Sequence, residues 1–506
     1  MNPMPVTTWS FKDTVVERDI IARIGSDFYV DFDPATTLDI RFFDDFDAHL
    51  WNADLLLCQI NKQRFQLINR SGCIGEVRAP GNVRFWWEFP DSKVKSELKR
   101  RIDLRAVLPV ASLHLIETNF SLRNSDQKIV VKGRISQSVG DGRSNQYLTL
   151  QSMRGYDKCF SRAEKLFEPL FKAQVHEFGL KTMFAEQDFQ AAGQHSSQPP
   201  HLAEEMPTEL AVRAMANEML AQATRHVNGL VADTDTEFLH QFRVNVRKLR
   251  SLISLLKKSL PTSTVDVVAE KLSAIAGRTN RLRDLDVFLL AKDSYRAMLP
   301  ASHKKGLSEL YALIEKQRQQ EKSLVSRYFS SRAFLQDIAA CAAEVSAAAA
   351  FQTTMARKPV LSVAKSLLVK RNHKILTMSA LINAQSADED VHQIRIEFKK
   401  LRYLIEFFID LLPKKRIAGL LAQLKKIQSV LGDFNDYCVQ VEFLSGYIDD
   451  HQIEMTKALS GLIAILHHKQ VETRKQVEAA IALFFTEDMA MKFDLAFGAK
   501  ANGDLE

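Results

Sequence analysis

The sequence predicts an α+β N-terminal domain, antiparallel and β-rich, followed by an all-α C-terminal domain of two related helical units. Three observations lead there. Short alternating apolar runs fill residues 1 to about 180, helical periodicity takes over beyond Pro207, and one eleven-residue phrase occurs twice. "HQFRVNVRKLR" (His240–Arg250) returns 152 residues later as "HQIRIEFKKLR" (His392–Arg402). Pro207 answers to Pro359, Pro261 to Pro413 and Asp284 to Asp436 at the same offset, with no gap through Cys438. A fixed period of this kind marks a duplicated supersecondary unit that buries its core against its copy.

Taken in order, residues 63–69 (QRFQLIN), 83–89 (VRFWWEF) and 127–135 (QKIVVKGRI) alternate as strands do. Residues 91–105 and the stretch from Tyr156 (YDKCFSRAEKLFEPLFKAQ) read as helices. A polar segment with Ser, Gln and a Pro pair, EQDFQAAGQHSSQPPHLAEEM, has the composition of a linker. The expected bounds are 1–185 for the N-terminal domain, 186–206 for the linker, 207–490 for the helical domain and 491–506 for a tail. Within the helical domain, repeat 1 spans 207 to about 350 and repeat 2 spans 359–490. The Ala-rich run from Asp337 to Phe351 reads as a closely packing helix. Each repeated helix has the spacing of a capping box at its entry, Thr234-x-x-Glu237 and Ser386-x-x-Glu389.

Composition narrows the function classes. A chain of 506 residues exceeds one ordinary core, and 46% hydrophobic with 25% charged residues is the balance of a globular protein. No apolar run approaches the length of a membrane span, and the N-terminus lacks the apolar core of a secretory signal. Five dispersed cysteines without a C-x-x-C pair fit reduced thiols in a cytoplasm, and supply neither a disulfide frame nor a zinc site. A net charge of +7 hints at an anionic partner.

At about 100° per residue, His240, Arg243, Arg247 and Arg250 share roughly one quadrant of a helix, with Lys248 beside them. Leu239, Phe242, Val246, Leu249, Ile253 and Leu256 fill the adjoining arc as a core-facing stripe. The second copy repeats the phase. His392, Arg395, Lys399 and Arg402 form the row, with Lys400 adjacent, while Ile394, Phe398, Leu401, Ile405 and Phe408 form the stripe. A row of charge is most often a solvated face. This one has almost no acid to pair with, borders the apolar stripe, and occurs twice in the same phase. Two such rows brought together would line a cleft for a polyanion, because Arg forks fit phosphate oxygens, Lys adds mobile charge and His adds a tunable donor. Arg213 and its counterpart Lys365, then Arg371, Lys374 and Lys425, are expected to extend the basic lining. Asp284 and Asp436, each 44 residues after the repeat's histidine, are expected to orient its cations. No nucleophile or metal-ligand spacing accompanies them, so no catalytic residue, metal or cofactor is expected. The rows carry no aromatic stacking platform, which argues against single-stranded nucleic acid.

The doubled H-x-x-R-V-x-x-R-K-L-R phrase with its R-D-L-D sequel resembles the CHAD domain, a helical domain named for its histidines, over roughly Pro207 to Phe485. The resemblance implies two four-helix units related by a pseudo-twofold axis, binding inorganic polyphosphate along a basic groove. It also implies association with polyphosphate granules in bacteria. It carries His240, Arg243, Arg247, Arg250, His392, Arg395, Lys399 and Arg402 over as groove residues. Residues 1 to 180 resemble the CYTH domain, a triphosphate tunnel fold, through RFFDDFDAHLWNADLLLCQINKQRFQLIN, LRAVLPVASLHLIETNFSLRNSDQKIVVKGRI and SMRGYDKCF. The family's E-x-E-x-K strand would fall near Val15, Glu17 and Asp19, with an acid in the place of the lysine. Leu55–Gln59 (LLLCQ) stands where the family has arginines. The resemblance therefore implies a degenerate relative without hydrolase chemistry. The expected protein is a cytoplasmic, non-enzymatic polyphosphate binder on granules, with no specific nucleic acid or membrane partner. A metal-dependent triphosphatase acting through the N-terminal domain, and a helical nucleic-acid or protein adaptor, are the alternatives.

Overall fold

A computed structural model describes residues 6–11, 16–25, 27–69, 72–140, 143–175, 179, 184, 200–383, 385–448 and 453–497. The chain divides into two compact units, Met1–Ser196 and Ser197–Glu506.

The first unit is one antiparallel ten-stranded sheet with helices laid on it. Its elements are β1 (Val6–Phe11), α1 (Glu17–Ile24), β2 (Tyr29–Phe32), β3 (Thr36–Asp44), α2 (His49–Asn52), β4 (Leu56–Ile60), β5 (Arg64–Asn69) and β6 (Gly72–Arg78). After these come α3 (Lys93–Ile102), β7 (Leu108–Arg123), β8 (Ile129–Gly140), β9 (Arg143–Ser152), α4 (Asp157–Phe167) and β10 (Phe171–Val175). The strand order is β10-β1-β9-β8-β7-β3-β4-β5-β6, with β2 also paired to β7. This antiparallel sheet is consistent with a CYTH-like barrel.

Alternation along each strand divides its side chains between two faces. One face takes the helices. Phe120, Leu122 and Leu150 pack with Ile20, Ile24, Phe160 and Phe167, while Leu57, Phe65 and Leu67 pack with Val94, Leu98 and Ile102. On the other face Ile40, Phe42, Leu56, Cys58, Ile60, Leu113, Leu115 and Tyr147 gather with Phe184 into a third apolar cluster.

Three expectations for this unit need correction. Residues 83–89 form no strand. Trp86–Glu88 is a 3-10 turn, because the Glu88 carboxylate accepts the Arg84 backbone N–H at 2.7 Å and Phe85 stacks on Trp87 at 4.5 Å. Helix α4 ends at Phe167, and the chain returns as β10. Glu17 and Asp19 lie in a helix and not on a strand, with Asp19 Oδ2 accepting the Val16 N–H at 2.9 Å. The first strand is instead VTTWSF, which contains no ionisable side chain.

The second unit is helical: α5 (Thr208–Arg225), α6 (Val227–Ala232), α7 (Thr236–Leu255), α8 (Thr262–Arg278), α9 (Asn280–Leu290), α10 (Lys292–Met298) and α11 (Lys304–Phe329). It continues with α12 (Arg332–Ser346), α13 (Thr354–Arg357), α14 (Val360–Ser379), α15 (Asp388–Phe407), α16 (Lys414–Ser445), α17 (Ile453–Phe484) and α18 (Glu487–Phe497). The duplication holds to the residue at its centre, since α7 and α15 begin and end at the same 152-residue offset. All the apolar stripe positions named above are buried.

Where the copies meet, their equivalent prolines pair as an isolated antiparallel bridge, Pro207 with Pro359. Thr208 N–H donates to the Lys358 carbonyl at 3.0 Å, and Val360 N–H donates to the Met206 carbonyl at 2.9 Å. Two equivalent bonds in opposite senses are the signature of a local twofold axis. One core cluster also spans the copies, joining Leu285, Phe288, Leu310 and Ile314 to Leu444, Leu459, Leu462 and Leu466.

The tail expected from 491 is in part a helix. α18 buries Phe493, Ala496 and Phe497 against α14 and α16, as α12 packs on α5 and α8 in the first copy. Residues 498–506 lie outside the described residues, as does most of the expected linker. Of that linker, residues 200–206 are described, with Leu202 buried. The Ala-rich helix ends at Ser346, because the buried Glu209 carboxylate takes the Ala350 and Phe351 N–H groups at 3.1 and 2.7 Å. Capping also differs. Asp235, one residue after Thr234, caps α7 by accepting from the Glu237 and Phe238 N–H groups, and Ala387 precedes α15 without a side-chain cap.

Candidate polyanion groove

Helix α7 packs on α15, and their basic rows meet. Arg247 is the meeting point. Its Nε donates to the buried Tyr403 hydroxyl of the other copy at 3.2 Å, and its charge reaches both Arg395 and Lys399. On the first side the field joins His240, Arg243, Arg247 and Arg283, and on the second it joins Arg395, Lys399 and Arg402. Like charges at this density oppose further protonation. Burial, then Arg395 and Arg247, push the Lys399 ammonium down to about 8. Burial, then Arg283, hold His240 below the ordinary histidine range. Burial likewise lowers Arg243, Arg283 and Arg395.

Two guanidinium donors in this row are enclosed without an acceptor, Arg283 Nη1 and Arg395 Nε. A buried donor left unpaired costs about 1–3 kcal/mol, and an anion that reaches it recovers the loss. Asp284 and Asp436 supply opposite charge, as does Glu237, which acts on both His240 and Arg283. Asp284 acts on Arg243, and Asp436 acts on Arg395 and Lys399, while burial raises the Asp284 carboxyl. His392 is exposed, and its Nδ1 lies 2.8 Å from Asn435 Oδ1.

Several expected groove residues stand elsewhere. Arg213 is buried, paired with Glu209 at 2.9 Å, and donates to the Glu344 carbonyl at 2.6 Å, so it ties α5 to α12. Arg371, Lys374 and Lys400 converge on the buried Glu397, with both lysines at 3.0 Å. A carboxylate out of water needs such partners, and these cations serve it. Lys248 lies 3.5 Å from Glu406, and Arg402 Nε donates to the same carboxylate at 2.7 Å. The row thus has acid beside it at helix spacing, Glu406 four residues after Arg402 and Glu397 three before Lys400, against the expectation of almost no pairing acid. Half-buried Lys365 and exposed Lys425 make no side-chain hydrogen bond or ion pair among the described residues, and nothing links them to the row. Arg283 and Tyr403 are the residues that sequence reasoning missed. A signal for Arg283 existed, since it follows His240 at the spacing by which Asn435 follows His392.

In the first unit, the carboxylates of Asp45 and Asp47 and the His49 ring offer ligand atoms within 4.8 Å of one another. They are already engaged, His49 with Asp45 and Asp47 with Arg105.

The family model of the CHAD domain matches residues 214–445. This stretch is a CHAD domain. The family is linked to polyphosphate binding in general. Among solved structures, the CHAD domain from the plant Ricinus communis is similar at 23% identity and a TM-score of 0.48, covering 56% of this chain and 95% of that one. PptA from Streptomyces chartreusis is similar at 17% identity and a TM-score of 0.40, covering 54% of this chain and 99% of that one. No curated protein matches the chain. Within the CHAD domain lie both basic rows, Arg283 and Tyr403. No helix among the described residues is long and apolar enough to cross a membrane.

Proposed function

We propose that this protein binds inorganic polyphosphate in the groove between the CHAD repeats and does not hydrolyse it. The observation that carries the reading is the convergence of two basic rows on Arg247, with enclosed guanidinium donors on both sides. A repeating anion offers an oxygen to each of these donors, which a single phosphate cannot do. Lysine and histidine held below their ordinary ranges gain protons when such an anion arrives, so binding and protonation reinforce each other.

The sheet unit supports the non-enzymatic part. A phosphate-metal site needs carboxylates for the ion and cations for the phosphate. Here Cys58 and Ile60 sit in an apolar cluster with Ile40 and Phe42, and β1 offers only hydroxyls, Thr8 bonding Thr149 at 2.9 Å. Granule association follows from polyphosphate affinity as part of the same proposal.

Titration of the full chain with long polyphosphate and with duplex DNA, at two salt concentrations, tests the reading. The expected result is preference for polyphosphate, with affinity that falls steeply with salt. Equal or tighter binding of DNA would favour the adaptor alternative. Phosphate released from tripolyphosphate with Mg²⁺ or Mn²⁺ would favour the triphosphatase.

A further inference from the structure

The two halves of the groove are not equivalent, although the helices that carry them match residue for residue. Where the first copy has Arg283, the second has Asn435, and where the first has Ser254, the second has Glu406. The consequences are visible around each half. In the first, the Arg283 charge acts on His240, and its Nη1 is enclosed without an acceptor. In the second, the neutral Asn435 amide engages His392 at 2.8 Å. Arg402 is drawn to Glu406 and to Gln428, each at 2.7 Å, whereas its counterpart Arg250 is exposed and makes no side-chain hydrogen bond or ion pair among the described residues. One arrangement runs the other way. Arg243 Nη1 is held by Ala276 and Asn280 at the α8–α9 junction, at 3.2 and 2.9 Å, while Arg395 Nε has no acceptor. Glu237 acts on His240 and Arg283, and Glu406 also lies 3.5 Å from Lys248, but the first half still has the additional guanidinium and no carboxylate on Arg250.

We propose that the first-repeat half, formed by His240, Arg247, Arg250 and Arg283, is a self-sufficient subsite for a short condensed phosphate such as tripolyphosphate. The second half adds hold only on chains long enough to reach it. This rests on the polyphosphate reading above. An ion too short to span both rows settles where the positive potential is highest, and forked guanidinium groups grip phosphate oxygens two at a time. Arg283 is then the residue that sets chain-length preference, because it distinguishes the half that works alone from the half that does not.

Calorimetric titration of the full chain with tripolyphosphate and with long polyphosphate tests this, in the parent and in two residue exchanges between the copies. Arg283→Asn is expected to weaken tripolyphosphate at least about tenfold and long polyphosphate only about threefold. Asn435→Arg is expected to raise the tripolyphosphate stoichiometry from one per chain towards two, and it stays informative if Arg283→Asn fails to fold. Tripolyphosphate binding that survives Arg283→Asn but is lost in Arg395→Gln would place the short-chain subsite in the second half and overturn the proposal. Equal losses in both variants would mean a symmetric groove and would also overturn it. A parent that binds long polyphosphate but not tripolyphosphate overturns the subsite alone, whereas a parent that binds neither overturns the polyphosphate reading.

Discussion

The third apolar cluster of the sheet and the groove of the helical unit treat burial in opposite ways. The sheet closes one face with Ile40, Phe42, Leu56, Cys58 and Leu113, each almost fully buried. The groove half-buries Arg243, Arg395 and Lys399 among like charges and leaves donors unpaired. The first arrangement stabilises a fold, and the second lowers stability unless an anion arrives. An unstable arrangement that packing could have removed is therefore a pointer to ligand.

The largest expected effect breaks the sheet side of this contrast. Phe42→Ala should cost about 3–5 kcal/mol of sheet stability, read from denaturant melting, with polyphosphate affinity unchanged. Unchanged melting together with lost binding would mean that this face is not a core. On the groove side, Arg247→Glu removes the hub and adds repulsion. Long polyphosphate should then bind more weakly by more than the ~1.5–3 kcal/mol of one charge-assisted hydrogen bond, with helical circular dichroism retained. Lys399→Glu, its counterpart, should also weaken long chains. If both variants bind as the parent does, the shared groove is wrong.

Smaller effects sharpen the comparison. Lys399, facing Arg395, Arg247, Arg402 and Asp436, is pushed down to about 8, so affinity should fall as pH rises through that value, severalfold at most. A flat profile from pH 7 to 9 would leave Lys399 outside the binding surface. The same shift acts on stability in the opposite sense. A lysine whose folded pKa lies below its unfolded value destabilises the fold below about 8, and the penalty fades as pH climbs towards the model-peptide value of 10.5. Lys399→Met should accordingly raise Tm by about 1–3 °C at pH 7, with little gain at pH 10. A lower Tm at pH 7 would show that the ammonium is stabilised by a partner.

The sequence made the duplication legible because α7 and α15 kept their length and phase, so a linear offset captured a spatial relation. Core positions such as Phe242 and Phe398 followed from helical period alone. What stayed hidden depends on contacts between elements. Glu397 collects Arg371 and Lys374 from α14 as well as Lys400, and no spacing within α15 announces partners on another helix. Arg213 looked like a groove cation although Glu209 stands four residues before it on the same helix, and the Glu344 carbonyl that takes its other donor lies 131 residues away. The strand-like VRFWWEF run failed because a local carboxylate–backbone bond outweighed alternation.

The paired prolines bear on how the molecule comes to be folded. Thr208 and Lys358 are 150 residues apart, so neither rung of the Pro207–Pro359 bridge can form until the whole first copy and the start of the second have left the ribosome. The first four long helices form from contacts close in sequence, which closes quickly, whereas the bridge must close a very long loop, which is slow. During synthesis the first row therefore stands alone, with Arg247 lacking Tyr403 and the field of its copy. The half that carries Arg283 is made first, before the groove has its second wall.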